Sequence, residues 1–297
     1  MAAMTGQKKA MLLGLATVLL WSTAAAAFKY SLQYLSPIAL MFWASTFSIA
    51  VLALWLGIRG ELLGALRIGG REAALSLVFG LLNPCLYYLL LFAAYDRLPA
   101  QEAMAINYTW ALTLTYLAVP FLGHRLRRID AVAGLVCYAG VFVIATRGDV
   151  LGFGLSEGPG VVLALLSTVV WAFYWIFNTR DTREPVAGLL LNFLFAWPVL
   201  LALFVLTGQG WPQWQGLAGA LWVGAFEMGI AFVLWLMAMK QASNTSRLSN
   251  LIFLAPPLSL LFISLVVGES IQGSTLAGLS LILAGLYLQR RGASQQP

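Results

Sequence analysis

Glu227 is the one acidic side chain near the middle of an apolar run in this chain. A charge at the centre of a bilayer costs roughly 2.5–3.5 kcal/mol on insertion scales, so it needs a partner or a water-filled cavity. Read at an offset of 144 residues, Glu227 falls on Asn83, which also lies mid-run and is followed by Pro84. A carboxylate and an amide at matched depths suit a zwitterion, the first facing its ammonium group and the second its carboxylate. Two readings stay open for Glu227. It lines a cavity, or it caps a local backbone defect or packs against a neighbouring polar group.

Other residues join this pair by spacing. Trp171, Tyr174, Trp175 and Asn178 recur at intervals of three and four, so one helix face carries three aromatic rings and an amide. Such a face stacks on flat substrates and fixes polar ends; ordinary helix packing and an interfacial belt use the same residues. Asn107 and Trp110 share a face, and Asn250 lies beneath Ser246. Each amide is either a substrate contact or interhelical glue worth about 0.6–2 kcal/mol. Tyr87 is one turn beyond Asn83, on the side expected to face the cavity, and Trp235 is two turns beyond Glu227. Lys29 reads as a snorkelling anchor or, alternatively, a carboxylate contact. An intramembrane enzyme would need a His, a Cys with a base, or paired carboxylates at depth. The single His124 lies at a helix end, Glu227 has no carboxylate partner in its run, and Cys85 and Cys137 sit in apolar runs without a nearby base. Those cysteines also argue against a disulfide or a metal site. No cofactor is called for.

The elements that position these residues follow from composition. Hydrophobic residues make up 61% and charged residues 9% of the 297, with a mean hydropathy of +0.87. Soluble domains carry roughly 25% charged residues, so the solvent for this chain is lipid. Runs long enough to span a bilayer lie at about 11–28, 37–57, 73–95, 101–122, 130–146, 159–178, 186–206, 216–239, 247–267 and 273–289. Lys8 and Lys9, an apolar run and then Ala24 to Ala27 resemble a signal peptide. However, Leu15–Trp21 matches Leu165–Trp171, so this run is expected to be a retained first helix. Counted over ten crossings, nearly all Lys and Arg residues fall on one side; Lys29, Arg97 and Arg147 are on the other. The positive-inside rule then places both termini in the cytoplasm. No basic stripe interleaved with aromatics supports nucleic-acid binding, despite a net charge of +6.

The 144-residue offset also aligns Gly80 with Gly224, Leu117 with Leu261 and Gly134 with Gly278. Five runs precede the seam and five follow it, and an odd number per copy turns the second copy upside-down. The expected fold is therefore an all-α integral membrane protein of ten transmembrane helices. These form two inverted five-helix repeats, 8–148 and 158–291. Inverted repeats are the architecture of secondary transporters, with the substrate site near the midplane where the copies meet. Gly134, Gly140 and Gly278 are expected to let helices approach closely rather than to line a path. No Lys or Arg lies deep in a run, which disfavours phosphate-bearing substrates.

Two stretches carry a family resemblance that covers nearly the whole chain. Phe253-Leu254-Ala255-Pro256-Pro257 running on to Val267-Gly268-Glu269 resembles the proline and terminal Gly-Glu of the EamA branch of the drug/metabolite transporter superfamily. Ile106-Asn107-Tyr108-Thr109-Trp110 is similar to the Asn-Tyr-x-Trp of bacterial aromatic amino acid exporters of the YddG type, except that Ala111 follows where that pattern often has proline. The first repeat has His124-Arg125 where the second has Gly268-Glu269. The resemblance implies export of amino acids, aromatic and other neutral ones, across an inner membrane. A monomer of ten helices would suffice, with a multidrug or other metabolite exporter as the alternative.

Overall fold

The computed structural model describes residues 2–123, 126–149, 157–178, 180–242, 248 and 251–293, with side chains from residue 6 to residue 290. Among these residues all regular structure is helical, and no strand occurs. The membrane segments follow in chain order. They are α1 (Ala2–Ser31); α2 (Pro37–Ile58), then a short α3 (Leu62–Ala65); α4 (Gly70–Gly80) and α5 (Tyr87–Arg97), joined by a π segment Leu81–Leu86; α6 (Ala100–Asn107) and α7 (Trp110–Leu122); α8 (Arg128–Ala145); α9 (Gly158–Asn178); α10 (Pro185–Leu206); α11 (Trp214–Trp222) and α12 (Ala231–Gln241), joined by a π segment Val223–Ile230; a 3-10 turn Leu251–Leu254, α13 (Ala255–Phe262) and a π segment Ile263–Val267; and α14 (Gly273–Ala293). Among the described residues seven continuous helical stretches are long and apolar enough to cross a membrane, Gly70–Arg97 and Trp214–Gln241 counted through their π segments, and Leu251–Val267 is a shorter apolar helix.

Local chemistry sets the ends. Ser36 caps α2, its hydroxyl accepting the Ala39 N–H at 3.1 Å, and Pro37 occupies the first helical position. Glu184 and Pro185 open α10 in the same way. Gly123 and Gly268 close α7 and the Ile263–Val267 segment in left-handed geometry (φ 71° and 76°), which side chains with a Cβ resist. These two glycines are 145 residues apart, not 144. On that register His124 rather than Arg125 matches Glu269; both lie outside the described residues.

The chain divides into two compact units, Met1–Cys85 with Thr182–Gly268, and Leu86–Asp181 with Glu269–Pro297. Each draws segments from both sequence repeats. In the first, α1 packs on α12 and α13, while α2 packs on α10 and on the Val223–Ile230 segment. Two repeat-related glycines make its closest approaches. A Cβ on Gly80 would overlap the Asn192 carbonyl oxygen of α10, and one on Gly224 would overlap that of Ala44 on α2. In the second unit α8 lies along α14, where a Cβ on Gly140 would come within 2.5 Å of the Gly278 carbonyl oxygen. Small residues let backbones approach in this way without a hydrophobic driving force. In the same unit α9 packs on α5, α6 and α7.

The outward surface is apolar, as lipid solvation requires: Leu135, Leu206 and Leu265 are 76%, 83% and 71% exposed. Polar pairs mark the segment ends. Arg127 binds Asp130 at 2.6 Å, and its guanidinium, outside the span, is held charged beyond its usual range by that hydrogen bond. It also donates to the Gln289 carbonyl at 3.2 Å. In the first unit Lys240 meets Glu184 at 3.6 Å, and Ser36 donates to Gln209 at 2.6 Å. Each of these contacts joins ends that ten alternating crossings would put on the same side.

Candidate functional site

Pro84 has no N–H and pushes the residue before it toward extended geometry. Asn83 obeys, with φ −142° and ψ 110°, so the third membrane segment is broken inside the bilayer. Asn83 is 1% exposed, and no described group donates to its Oδ1. An unsatisfied buried acceptor costs about 1–3 kcal/mol, a demand that a ligand donor can meet. Its repeat mate Glu227 sits half-buried in the Val223–Ile230 π segment. The two distortions occupy matching positions in the repeat, and π-turns of this kind gather at functional sites. Ser45 and Ser48, one turn apart on α2 and fully buried, likewise carry hydroxyls with no described partner.

The second unit holds an aromatic stack. Tyr87, first residue of α5, lies parallel to Trp171 of α9 at 4.4 Å and 24°; Trp171 is followed by Tyr174 at 5.3 Å and 18°. Trp175 closes the group edge-on to Trp171 at 5.8 Å and 89°. Its buried Nε1–H has no described acceptor. Spacing placed Trp171, Tyr174 and Trp175 on one face, and Tyr87 joins them from another helix. Offset stacks of this kind hold flat side chains at about 0.5–1.5 kcal/mol per ring pair beyond burial.

The first unit has a related arrangement around Trp21, the mate of Trp171. Trp21 meets Phe232 edge-on at 5.6 Å and Trp235 at 5.5 Å and 46°. These rings are tilted rather than parallel.

Asn107 ends α6 and donates to Ser167 Oγ of α9 at 3.1 Å, which is interhelical bonding. Beside it, Thr113 of α7 pairs with Thr168, the residue after Ser167, at 3.1 Å. Trp110 begins α7, just beyond the interruption at Tyr108 and Thr109, and is half-buried. Asn178 is the last residue of α9, half-buried and two turns from Trp171. Asn250 lies outside the described residues. The structure thus gathers Tyr87, Trp171 and Trp175 with Tyr174, and ties Asn107 to the helix that carries them.

Sequence reasoning missed a second polar cluster. The Glu269 carboxylate accepts the Ala100 N–H at 2.8 Å and the Gln101 N–H at 3.3 Å, capping α6 at its positive end. Gln101 returns the contact to the Ser270 carbonyl at 2.9 Å and accepts from the Gln272 N–H at 2.9 Å. The next residue, Glu102, 1% exposed, receives Arg147 at 2.9 Å. The Gly-Glu ending was visible in the sequence, but its target 169 residues away was not.

The sequence profile of the EamA-like transporter family matches residues 8–146 and 158–290. The aromatic amino acid exporter YddG of Ancylobacter novellus is 28% identical over 293 residues, covering 94% of this chain and 96% of that protein. A probable terminal-alkyne amino-acid exporter of Streptantibioticus cattleyicolor is 26% identical, covering 93% and 91%. A solved crystal structure superposes with a TM-score of 0.66 at 26% identity over 97% of this chain and 99% of its own.

Proposed function

The chain belongs to the EamA-like transporter family, and on that footing we propose that it exports amino acids, aromatic and other neutral ones, by alternating access. Its relatives are transporters, and its apolar helices make it a multi-pass membrane protein. The observation that carries the substrate assignment is the Tyr87–Trp171–Tyr174 stack with the unpartnered Nε1–H of Trp175. Flat rings with a polar edge fit a neutral aromatic side chain better than a charged or phosphorylated one.

In this reading the site lies near the midplane between the two repeats, 8–148 and 158–291. Glu227 receives the substrate ammonium group and Asn83 the carboxylate side, while Trp171 with Tyr87 selects for aromatic side chains along the path. Asn178, Asn250 and Trp110 border the path, and Asn107 holds α6 on the aromatic helix. The protein works as a monomer in a bacterial inner membrane with both termini cytoplasmic, and it is not an enzyme.

The test is flux of labelled phenylalanine, tryptophan, methionine and threonine into liposomes containing the purified protein, with no ion gradient. Saturable flux preferring the aromatic amino acids is expected. Flux that appears only under a proton gradient would point to proton coupling. No flux of any of the four under either condition would overturn the amino acid assignment and leave a drug or other metabolite exporter.

A further inference from the structure

In the first unit, helices α1, α11 and α13 with its π extension flank a half-open cavity of about 400 Å3. Ala26 and Tyr30 line it from α1, Ala218 and Trp222 from α11, and Phe262 and Val266 from the third strut. Its nearest polar group is already engaged. The Thr23 hydroxyl accepts the Trp222 Nε1–H at 3.0 Å and donates to the Leu20 carbonyl at 2.7 Å. Tyr30 is turned to Tyr34, with ring centroids 5.3 Å apart.

Two occupants fail on physical grounds. Water in a buried site needs two to four polar partners, which these walls do not offer. A void would cost the lining side chains their dispersion contacts on one side. The cavity is continuous with the lipid-facing surface. Ala218 is exposed, Val266 is 54% exposed and Trp222 39%, and they run on to Leu221, Leu261 and Leu265 at 46%, 53% and 71%. The hydrocarbon that bathes this face is the material at hand. Tyr30 and Tyr34, at the end of α1, mark the headgroup level where aromatic belts sit.

We propose that this cavity is a lipid site that takes an acyl chain of a membrane phospholipid. Trp222 is the last residue before the Val223–Ile230 segment, and its ring packs on Phe226 at 4.5 Å. A bound chain therefore props the start of the distorted turn that carries Glu227. The site is separate from the substrate assignment and stands or falls without it.

Native mass spectrometry of detergent-purified protein, stripped and then exposed to phosphatidylethanolamine bearing palmitoyl and oleoyl chains, tests it. The zwitterionic headgroup makes the experiment report on the chains rather than on charge. Wild type is expected to keep one phospholipid adduct at activation energies that remove the rest. Ala218→Phe and Ala27→Leu, which fill the cavity from two helices, should each cut that adduct at least fivefold. Leu265→Phe, on the open lipid face, should leave it unchanged, and matching elution profiles establish that the variants are folded. An adduct that survives both filling substitutions, or none in wild type, would overturn the proposal.

Discussion

At Asn83 the third membrane segment breaks, whereas at its repeat mate Glu227 the eighth only widens. The helix with Pro84 loses a backbone donor and turns extended, leaving a neutral amide with an unmet acceptor. The helix without proline keeps helical geometry through Val223–Ile230 and offers a charge that is half-buried. Their surroundings keep the repeat: Gly80 and Gly224, each three residues before, press on carbonyls of α10 and α2. The aromatic mates differ in a similar way, parallel around Trp171 and tilted around Trp21. Packing matches at the offset positions, while the polar and aromatic equipment diverges. A carrier of an asymmetric molecule needs that divergence, because a site with equivalent ends cannot tell an ammonium group from a carboxylate.

The strongest way to break this comparison is to erase it. Glu227→Asn makes both positions amides and removes a charge-assisted contact worth about 1.5–3 kcal/mol, so flux per protein should fall roughly 10- to 150-fold. Asn83→Ala removes a neutral bond and should cost only about 2- to 12-fold. Both are read from initial rates in liposomes at saturating and limiting substrate. Equal losses would mean that the charge is structural.

The glycines test the shared part. Gly80→Ala and Gly224→Ala each force a methyl group onto a neighbouring backbone, which overpacking makes about 1–3 kcal/mol unfavourable. Similar drops in melting temperature in detergent are expected, because the two crossings are repeat mates. A large drop for one and none for the other would show that only one crossing is tightly packed.

Trp171→Ala against Trp21→Ala sharpens the aromatic half. Losing a stacked partner costs about 0.5–1.5 kcal/mol beyond burial. The half-saturation constant for phenylalanine should therefore rise roughly 2- to 12-fold in Trp171→Ala, with threonine less affected. Trp21→Ala should change both substrates alike. Equal discrimination by the two variants would remove the stack from substrate selection.

Much of this was legible because lipid imposes simple rules. Apolar run length located the segments to within a few residues for most, and Gly140 with Gly278 makes the close approach expected of it, whereas the offset matched Gly80 with Gly224 without announcing that each presses on a neighbouring carbonyl. Spacing grouped Trp171, Tyr174 and Trp175. What was hidden depends on long-range geometry or on backbone energetics without a side-chain signature. The interruption at Tyr108 and Thr109 has neither glycine nor proline to announce it. The π segment around Glu227 lacks a proline too, so its mate's distortion was the only hint. Tyr87 stacking on Trp171 joins residues of different segments, and the capping of α6 by Glu269 spans 169 residues. Asn107 showed only that an amide needs a partner, not that Ser167 would be the one.

The smallest expected effect compares Glu227 with a carboxylate of the same type in water. Glu61 follows α2 on an exposed turn, bound to Arg59 by two hydrogen bonds of 2.9 Å. That hydrogen bonding holds its carboxyl below the ordinary value of 4.5. A carboxyl lowered on folding contributes stability above its unfolded pKa and loses it as pH falls through the lowered folded value. Solvent and salt screen so exposed a pair almost completely. Glu61→Gln should therefore leave flux unchanged and barely move the melting temperature at pH 7. Any difference from wild type should fade as the pH is taken below 4.5. If instead Glu61→Gln impaired flux as much as Glu227→Asn, depth in the bilayer would not be what gives Glu227 its role.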